Sequence, residues 1–473
     1  MKIKGLSLAS MLIAAAIGLY GCTEGDDAVI NITSTTGGGG GTTTNPTSVC
    51  PSFALARPQD NDGNDVCQLP PSIMTDTILT SDKVWYMASR VTVGNGNELM
   101  SVVEGTLENG DPVANVTLVI EAGTEIKGRS GSFANLLITR GSRIEANGTA
   151  ALPIIFSSDD DGYDGTAEWG GLIIHGYAPH NECLTADMGA VACNVDAEGE
   201  SGFAGGYSAD DDSGILNYVI VTEGGFEFDI GDEINGVSLV AVGAGTEIDY
   251  VQVNSNSDDG FEFFGGRVSA KHLVLTGNLD DSVDWDEGWQ GNLQHVLVIQ
   301  TPGSSPDKLI EADTLGTDDF LSKPTIANAT LISASTTGGR FKEETGGFLH
   351  RSIITFDASV TTATQCVDTG GATANVGVSL VFQDVLCDGD SSGDVNLLPA
   401  TVADVQLAAD YSSQDPAAAG LTPFKTALAT FNGTYAESVG DPAFFDDTDY
   451  AGAVDPAGGD DWYAGWTLSG TIP

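Results

Sequence analysis

Hydrophobic positions in this chain come in short runs, not in helical stripes. Leu118-Val119-Ile120, Leu136-Leu137-Ile138, Ile154-Ile155-Phe156 and Leu172-Ile173-Ile174 are each bounded by Gly or polar residues. Short apolar runs with such borders predict strands of a parallel sheet. The runs recur every 18 residues, as Val119, Leu137, Ile155 and Ile173. That spacing predicts a small coil of three short strands, each rising about 3.3 Å per residue.

A second repeat begins near Ile248. Asp258-Asp259 returns 22 residues later as Asp280-Asp281, Glu262 as Asp284, and Phe263 as Trp285. Short apolar strands are expected at Val251 to Val253, Val274 to Thr276 and Val296 to Ile299. One polar residue precedes each strand of this half: Asn217, Asp249, His272, His295, Asn328, His350 and Gln383. A strand at fixed phase in a repeat of this length predicts a stacked, all-β solenoid. The polar column predicts a turn ladder that satisfies buried backbone groups coil after coil. Three of the five histidines fall in that column, which points to a structural role for them.

The periodicity divides the chain. Residues 50–71 form an acidic segment closed by cysteines, 72–398 the coil, and 399–473 a cap over its end. Strands from Ser72 to Val103 are expected to close the near end, with regular winding from Val116. Between Ser157 and Ser213 the period breaks, and loops leave the coil; such loops are where scaffolds carry function.

Composition adds to this picture. The 473 residues include 61 Gly, only 18% are charged, and the formal charge is −50. A surface of that sign excludes nucleic acid and anionic membrane faces as partners. It favours divalent cations, or serves solubility alone.

The first residues read as an export signal over 1–21: Lys2 and Lys4, an apolar run from Leu6 to Leu19, then Leu19-Tyr20-Gly21-Cys22. The last four resemble a bacterial lipobox, which would lipidate Cys22 and make the lipid bilayer a partner. Thr23 in place of Asp implies the outer membrane and the cell surface. Residues 22–49, with Gly37 to Gly41, read as a flexible tether. Six further cysteines form neighbouring pairs, Cys50-Cys67, Cys183-Cys193 and Cys366-Cys387. Fifteen pairings are open to six cysteines, and the local one is expected. Each closed loop would contribute about 3 kcal/mol.

The segments L-V-I-E-A-G-T-E-I-K-G, E-W-G-G-L-I-I-H-G, D-D-G-F-E-F-F-G-G-R-V and D-D-W-Y-A-G-W-T resemble a group of bacterial secreted or surface β-helix lipoproteins. The resemblance spans Ser72 to Thr467. It implies a right-handed parallel β-helix similar to that of pectate lyases, and brings no assigned activity.

The candidate chemistry is carboxylate chemistry. Asp258, Asp259, Glu262, Asp280, Asp281 and Asp284 would stack about 4.8 Å apart on adjacent coils. Like charges at that spacing need protons, water or a cation, and calcium takes six to eight oxygens. A weaker calcium candidate is Asp60, Asp62 and Asp65 around Gly63, which otherwise reads as a hydrophilic turn. Asp258, Asp280 and Asp281 are also the catalytic candidates should the chain degrade polysaccharides. Trp285 and Trp289 are either stacked core or a sugar platform. His175 and His180, with Glu182 or Asp187, are a minor transition-metal candidate. No phosphate loop or dinucleotide motif is present. The expected function is therefore calcium-assisted binding of a glycan, matrix or another surface protein. A polysaccharide hydrolase or lyase and a purely structural envelope or biofilm component are the alternatives.

Overall fold

The computed structural model describes residues 49–160, 162–183, 191–227, 233–315, 320–362, 364–387, 389–391, 398–399, 443–456 and 461–472. The expected signal, Cys22, most of the tether, Asp187 and residues 400–442 lie outside them. The described strands wind into a parallel β-helix with three faces. One face stacks Thr77–Leu79, Thr117–Ile120 and Arg143–Asn147, then the first half of Gly214–Thr222. A second stacks Val66–Gln68, Val84–Met87, Glu125–Gly128 and Ile154–Ser158, then the second half of Gly214–Thr222. The third runs from Ser72–Ile73 through Val91–Val93, Leu136–Ile138, Leu172–His175, Val237–Val240, Phe261–Phe264, Val283–Asp286 and Ile310–Ala312. Alternate residues of each strand point into one continuous core.

The 18-residue spacing is not the coil. Leu118 pairs with Ile144, 26 residues on, and Leu136 pairs with Leu172, 36 residues on. Leu118 and Leu136 lie on different faces, so the 18-residue offset measures the step between two faces. Apolar runs on every face look alike, so sequence similarity cannot separate them. The column Val119, Leu137, Ile155 and Ile173 also points outward, while Leu118, Leu136, Ile154 and Leu172 fill the core. The 22-residue period is the true coil: Phe261 pairs with Val283, Glu262 with Asp284, and Phe263 with Trp285. Winding begins earlier than expected, at Val66, whose strand pairs with Val84–Met87. The near end is closed instead by Leu55–Ala56, antiparallel to Val66–Gln68, and by Phe53 stacked on the buried Trp85 at 5.7 Å.

The expected ladder divides into two. From Gly214–Thr222 onward, the chain crosses between two faces by a bend at a single left-handed residue. Those residues are Tyr218, Tyr250, His272, His295, Asn328, Arg351 and Asp384, with φ between 43 and 59°. Strand pairing skips Tyr218 and Tyr250, His272 and His295. Asn217, Asp249, His350 and Gln383 stand one residue earlier and are ordinary paired residues. At His272, His295 and Asn328 the sequence expectation meets the bend itself. A left-handed conformation costs a non-Gly residue about 1–2 kcal/mol. Stacking offsets that cost: Tyr218 lies 4.4 Å from Tyr250, Tyr250 4.3 Å from His272, and His272 4.9 Å from His295. The carbonyl-satisfying ladder sits at another corner. There Asn256 Nδ2 donates to Ile234 O and Asp259 O, Asn256 N–H to Asn278 Oδ1, and Gln300 Nε2 to Lys308 O.

The described C-terminal residues meet the last described coils at their flank, where Ala451 packs with Ile353 and Leu386. They run as a strap along the flank, on the ring stack and on the outward Ile220, Val274, Leu297 and Ile299. Trp466 meets Tyr218 edge-on at 5.6 Å, and Trp462 meets His272 at 5.0 Å. Asp446 pairs with Lys271 at 2.8 Å. The outward apolar residues of these strands, which a bare coil would leave wet, demand such a cover. Replacing Trp462 and Trp466 by Ala should raise hydrogen exchange in residues 444–454 about tenfold or more. Exchange in Phe261–Phe264 should stay unchanged in the same mass-spectrometric experiment.

The three expected disulfides are present, Cys50–Cys67, Cys183–Cys193 and Cys366–Cys387, with Cα atoms 5.6, 5.5 and 6.0 Å apart.

Candidate metal centre

Strand alternation builds the site. In Phe261–Phe264 and Val283–Asp286, Phe261, Phe263, Val283 and Trp285 point inward. Glu262 and Asp284 must therefore point out. Register extends their row to Ser238 on one side and to Glu311 and Arg340 on the other. Just before each strand, the turn adds Asp258-Asp259 and Asp280-Asp281. Gly260 permits this stacking, because a Cβ there would lie 2.5 Å from Ser282 O.

The two turn aspartates behave differently. Asp259 Oδ1 accepts the Asp281 N–H at 2.8 Å, and Asp281 Oδ1 accepts the Lys308 N–H at 2.5 Å. Asn235 Oδ1 accepts the Asp259 N–H at 3.3 Å. Asp259 and Asp281 are thus part of the coil-to-coil bonding and also face the row. Asp280 is more exposed, beside Asp307 and Lys308.

Four groups bring three carboxylate oxygens within 4.8 Å of one another: Asp258, Asp259 and Asp280; Asp259, Glu262 and Asp284; Asp280, Asp281 and Asp307; Asp281, Asp284 and Glu311. All six residues expected to hold a cation are therefore brought together. Burial, and then Glu233 and Asp280, push Asp258 up to about 7. Burial and Asp280 push Asp281 up to about 8, and burial with Glu287 takes Asp286 to about 8. Asp259, Glu262 and Asp284 are held well above the usual carboxylate range by burial and by neighbouring acids. Asp284 Oδ1 is closed to solvent and has no hydrogen-bond partner. An all-oxygen donor set with an unsatisfied buried oxygen fits a hard cation such as calcium, not zinc or copper.

Glu311, Asp307 and Asn235 join the site without a clear signal in the sequence. Glu311 follows Asp284 by 27 residues, because the turn around Thr301 to Asp307 lengthens that coil. The longer interval between His295 and Asn328 is its only trace. Asn235 Nδ2 donates to Glu262 Oε2 at 2.5 Å, and Lys342 Nζ pairs with Glu311 Oε2 at 2.5 Å.

The other candidates part from this row. Asp60 turns its carboxylate to its own loop, accepting from Asp62 N–H, Asn64 N–H and Asn64 Nδ2. Asp60, Asp62 and Asp65 do not appear among the converging groups. Trp285 and Trp289 are 2% and 0% exposed, so they are core and not a sugar platform. His175 bonds Phe203 O and Ser201 Oγ, and burial takes it down to about 3. His180 lies 2.5 Å from Glu287, away from His175's partners. No shared metal set forms from these histidines among the described residues.

Beside the row lies an open cleft of about 800 Å³. Its walls are the hairpin of Val195–Ala197 and Gly202–Ala204 and the outer surface of the third face. Glu198, Glu200, Glu262, Phe264, Asp286 and Glu287 line it. Asp258, Asp280 and Asp281 do not.

Parallel strands in three faces, loops on the outside and an acidic row on one face define a parallel β-helix of pectate-lyase-like architecture. The chain belongs to the pectate-lyase-like β-helix domain family, whose pattern it matches over residues 73–467. Comparisons with curated proteins and with solved structures returned no match.

Proposed function

We propose that this protein is an exported, surface-exposed binding scaffold that holds calcium on its acidic row. The cation then assists capture of a glycan, a matrix component or another surface protein in the adjoining cleft. One observation carries the reading: the mutually repelling carboxylates of buried Asp259 and half-buried Glu262 and Asp284 stand at the edge of an open cleft that shares Glu262. A cation there would relieve the repulsion and keep coordination positions open to ligand oxygens. Three disulfides support an oxidising, extracellular setting. Cys22 would supply the lipid anchor to the outer membrane.

A glycan array probed with and without calcium tests the binding reading. Calcium-dependent capture that Glu262→Gln reduces about tenfold or more supports it. Absence of any capture in either buffer counts against it. Cys22→Ala is expected to release the protein from membranes into the soluble fraction, and retention of the variant would remove the lipid anchor from the reading.

The degradative reading has its own support in Asp258, whose carboxyl is pushed up to about 7, the range of a general acid. Turnover of acidic or neutral polysaccharides that Asp258→Asn and Asp280→Asn abolish would favour it over simple binding.

A further inference from the structure

We propose that the acidic row holds two divalent cations on adjacent coils, bridged by Asp284. This deepens the calcium reading and rests on it. Two of the converging groups share Asp284: Asp259, Glu262 and Asp284 on one side, Asp281, Asp284 and Glu311 on the other. Glu262, Asp284 and Glu311 are register partners on successive strands, so the two positions follow the coil repeat. Asp284 is the middle member. Its Oδ1 is buried and has no hydrogen-bond partner, and a cation between the two groups would satisfy it.

The row is closed at both ends. Asn235 Nδ2 donates to Glu262 Oε2 at one end. At the other, Lys342 Nζ lies 2.5 Å from Glu311 Oε2 and 3.5 Å from Asp313 Oδ2. Register places Arg340, not another acid, after Glu311. Two gaps lie between the register carboxylates Glu262, Asp284 and Glu311.

Asp259, Glu262, Asp281, Asp284 and Glu311 carry more negative charge than Lys342 offsets, and Asp258, Asp280 and Asp307 stand beside them, so divalent cations suit the row. Carboxylate oxygens without His or Cys select calcium, or magnesium and manganese as competitors. A shared carboxylate between cations a few Å apart is sound two-metal chemistry.

The test is calorimetric titration of the full-length protein, purified in detergent, with calcium chloride. Terbium luminescence sensitised by Trp285, next in sequence to Asp284, reads the same positions. The wild type should bind two ions at the row. Glu262→Gln and Glu311→Gln should each lose one and keep the other. Asp284→Asn should weaken both by about 100-fold or more, as loss of a charged ligand to each ion requires. Near-ultraviolet circular dichroism in metal-free buffer reports folding of each variant. Should Asp284→Asn fail to fold, the two single-site variants decide by stoichiometry alone. A wild type that takes one ion, or an Asp284→Asn that keeps one site at full affinity, overturns the bridged pair. Calcium binding untouched by all three substitutions overturns the pair but leaves a calcium-assisted scaffold with its site elsewhere. No calcium binding by the wild type ends both.

Discussion

In metal-free buffer the protein is expected to melt at a lower temperature at pH 8.5 than at pH 6.5. The folded chain holds Asp258 at about 7 and Asp281 and Asp286 at about 8, while the unfolded chain returns them to about 3.8. Carboxyls raised in the folded state make it bind more protons than the unfolded state across that window. Their stabilising contribution is complete below about pH 4 and is lost as pH rises through about 8. Glu233, Glu311, Asp307 and Asp313 add repulsion, and Lys308 and Lys342 partly relieve it. A tenfold change in proton affinity on folding is worth about 1.4 kcal/mol. Adjacent acids titrate as a set, so the total is on the order of a few kcal/mol. Asp446 acts oppositely: His295, whose Nε2 lies 3.7 Å away, and then Lys271 at 2.8 Å hold it below the usual range. Its contribution is lost only as pH falls below the ordinary carboxylate value. His175 and His350, which burial holds down to about 3 and about 4, oppose the acids below about pH 6.5, because there only the unfolded chain protonates them. Above that pH the trend belongs to the raised carboxyls.

Calcium should reverse the trend, because it binds the ionised carboxylates. At 100 times its dissociation constant a single ion adds about 2.7 kcal/mol. The calcium-induced rise in melting temperature should therefore be larger at pH 8.5 than at pH 6.5. Scanning fluorimetry in resin-treated buffers, with and without calcium, measures both slopes. A metal-free melting temperature that is flat or rises over this window would sink the idea of buried, mutually repelling acids in the row.

Trp289→Ala should cost about 3–5 kcal/mol of stability, read as a lower urea midpoint. Its ring is fully buried and lies 3.9 Å from Phe263, nearly parallel. Its indole N–H donates to Val268 O at 3.0 Å, so truncation also orphans a carbonyl. Val102→Ala, at a side chain 83% exposed, should stay within about 0.5 kcal/mol of wild type. A sugar-stacking Trp289 would behave the other way, with stability kept and glycan capture lost.

The architecture is legible in the chain because strand period and coil period leave direct marks. Phe261, Phe263 and Trp285 repeat inward and Glu262 and Asp284 outward, and the 22-residue register follows from that alternation alone. Coils of unequal length defeat the same logic. The 18-residue offset joins two faces, since Leu118 and Leu136 look identical from the chain. The bend column shifts by one residue at Tyr218, Tyr250, Arg351 and Asp384, because the sign of φ is invisible in a side-chain pattern. There a polar residue beside the true corner mimics it.

Short-range spacing alone is enough for the parallel solenoid, the three local disulfides and the carboxylates that share one face. In each case a residue's neighbour in space lies within about one repeat along the chain. What lies across loops of irregular length becomes fixed only when the coils stack. Stacking brings Glu311 and Asn235 to the row, turns Trp285 and Trp289 into the core, and lays Trp462 and Trp466 along the flank. It also gives Asp259 and Asp281 a share in coil-to-coil bonding. Burial raises the acids and leaves Asp284 Oδ1 without a partner, and burial is a property of the assembled coils, not of any one repeat.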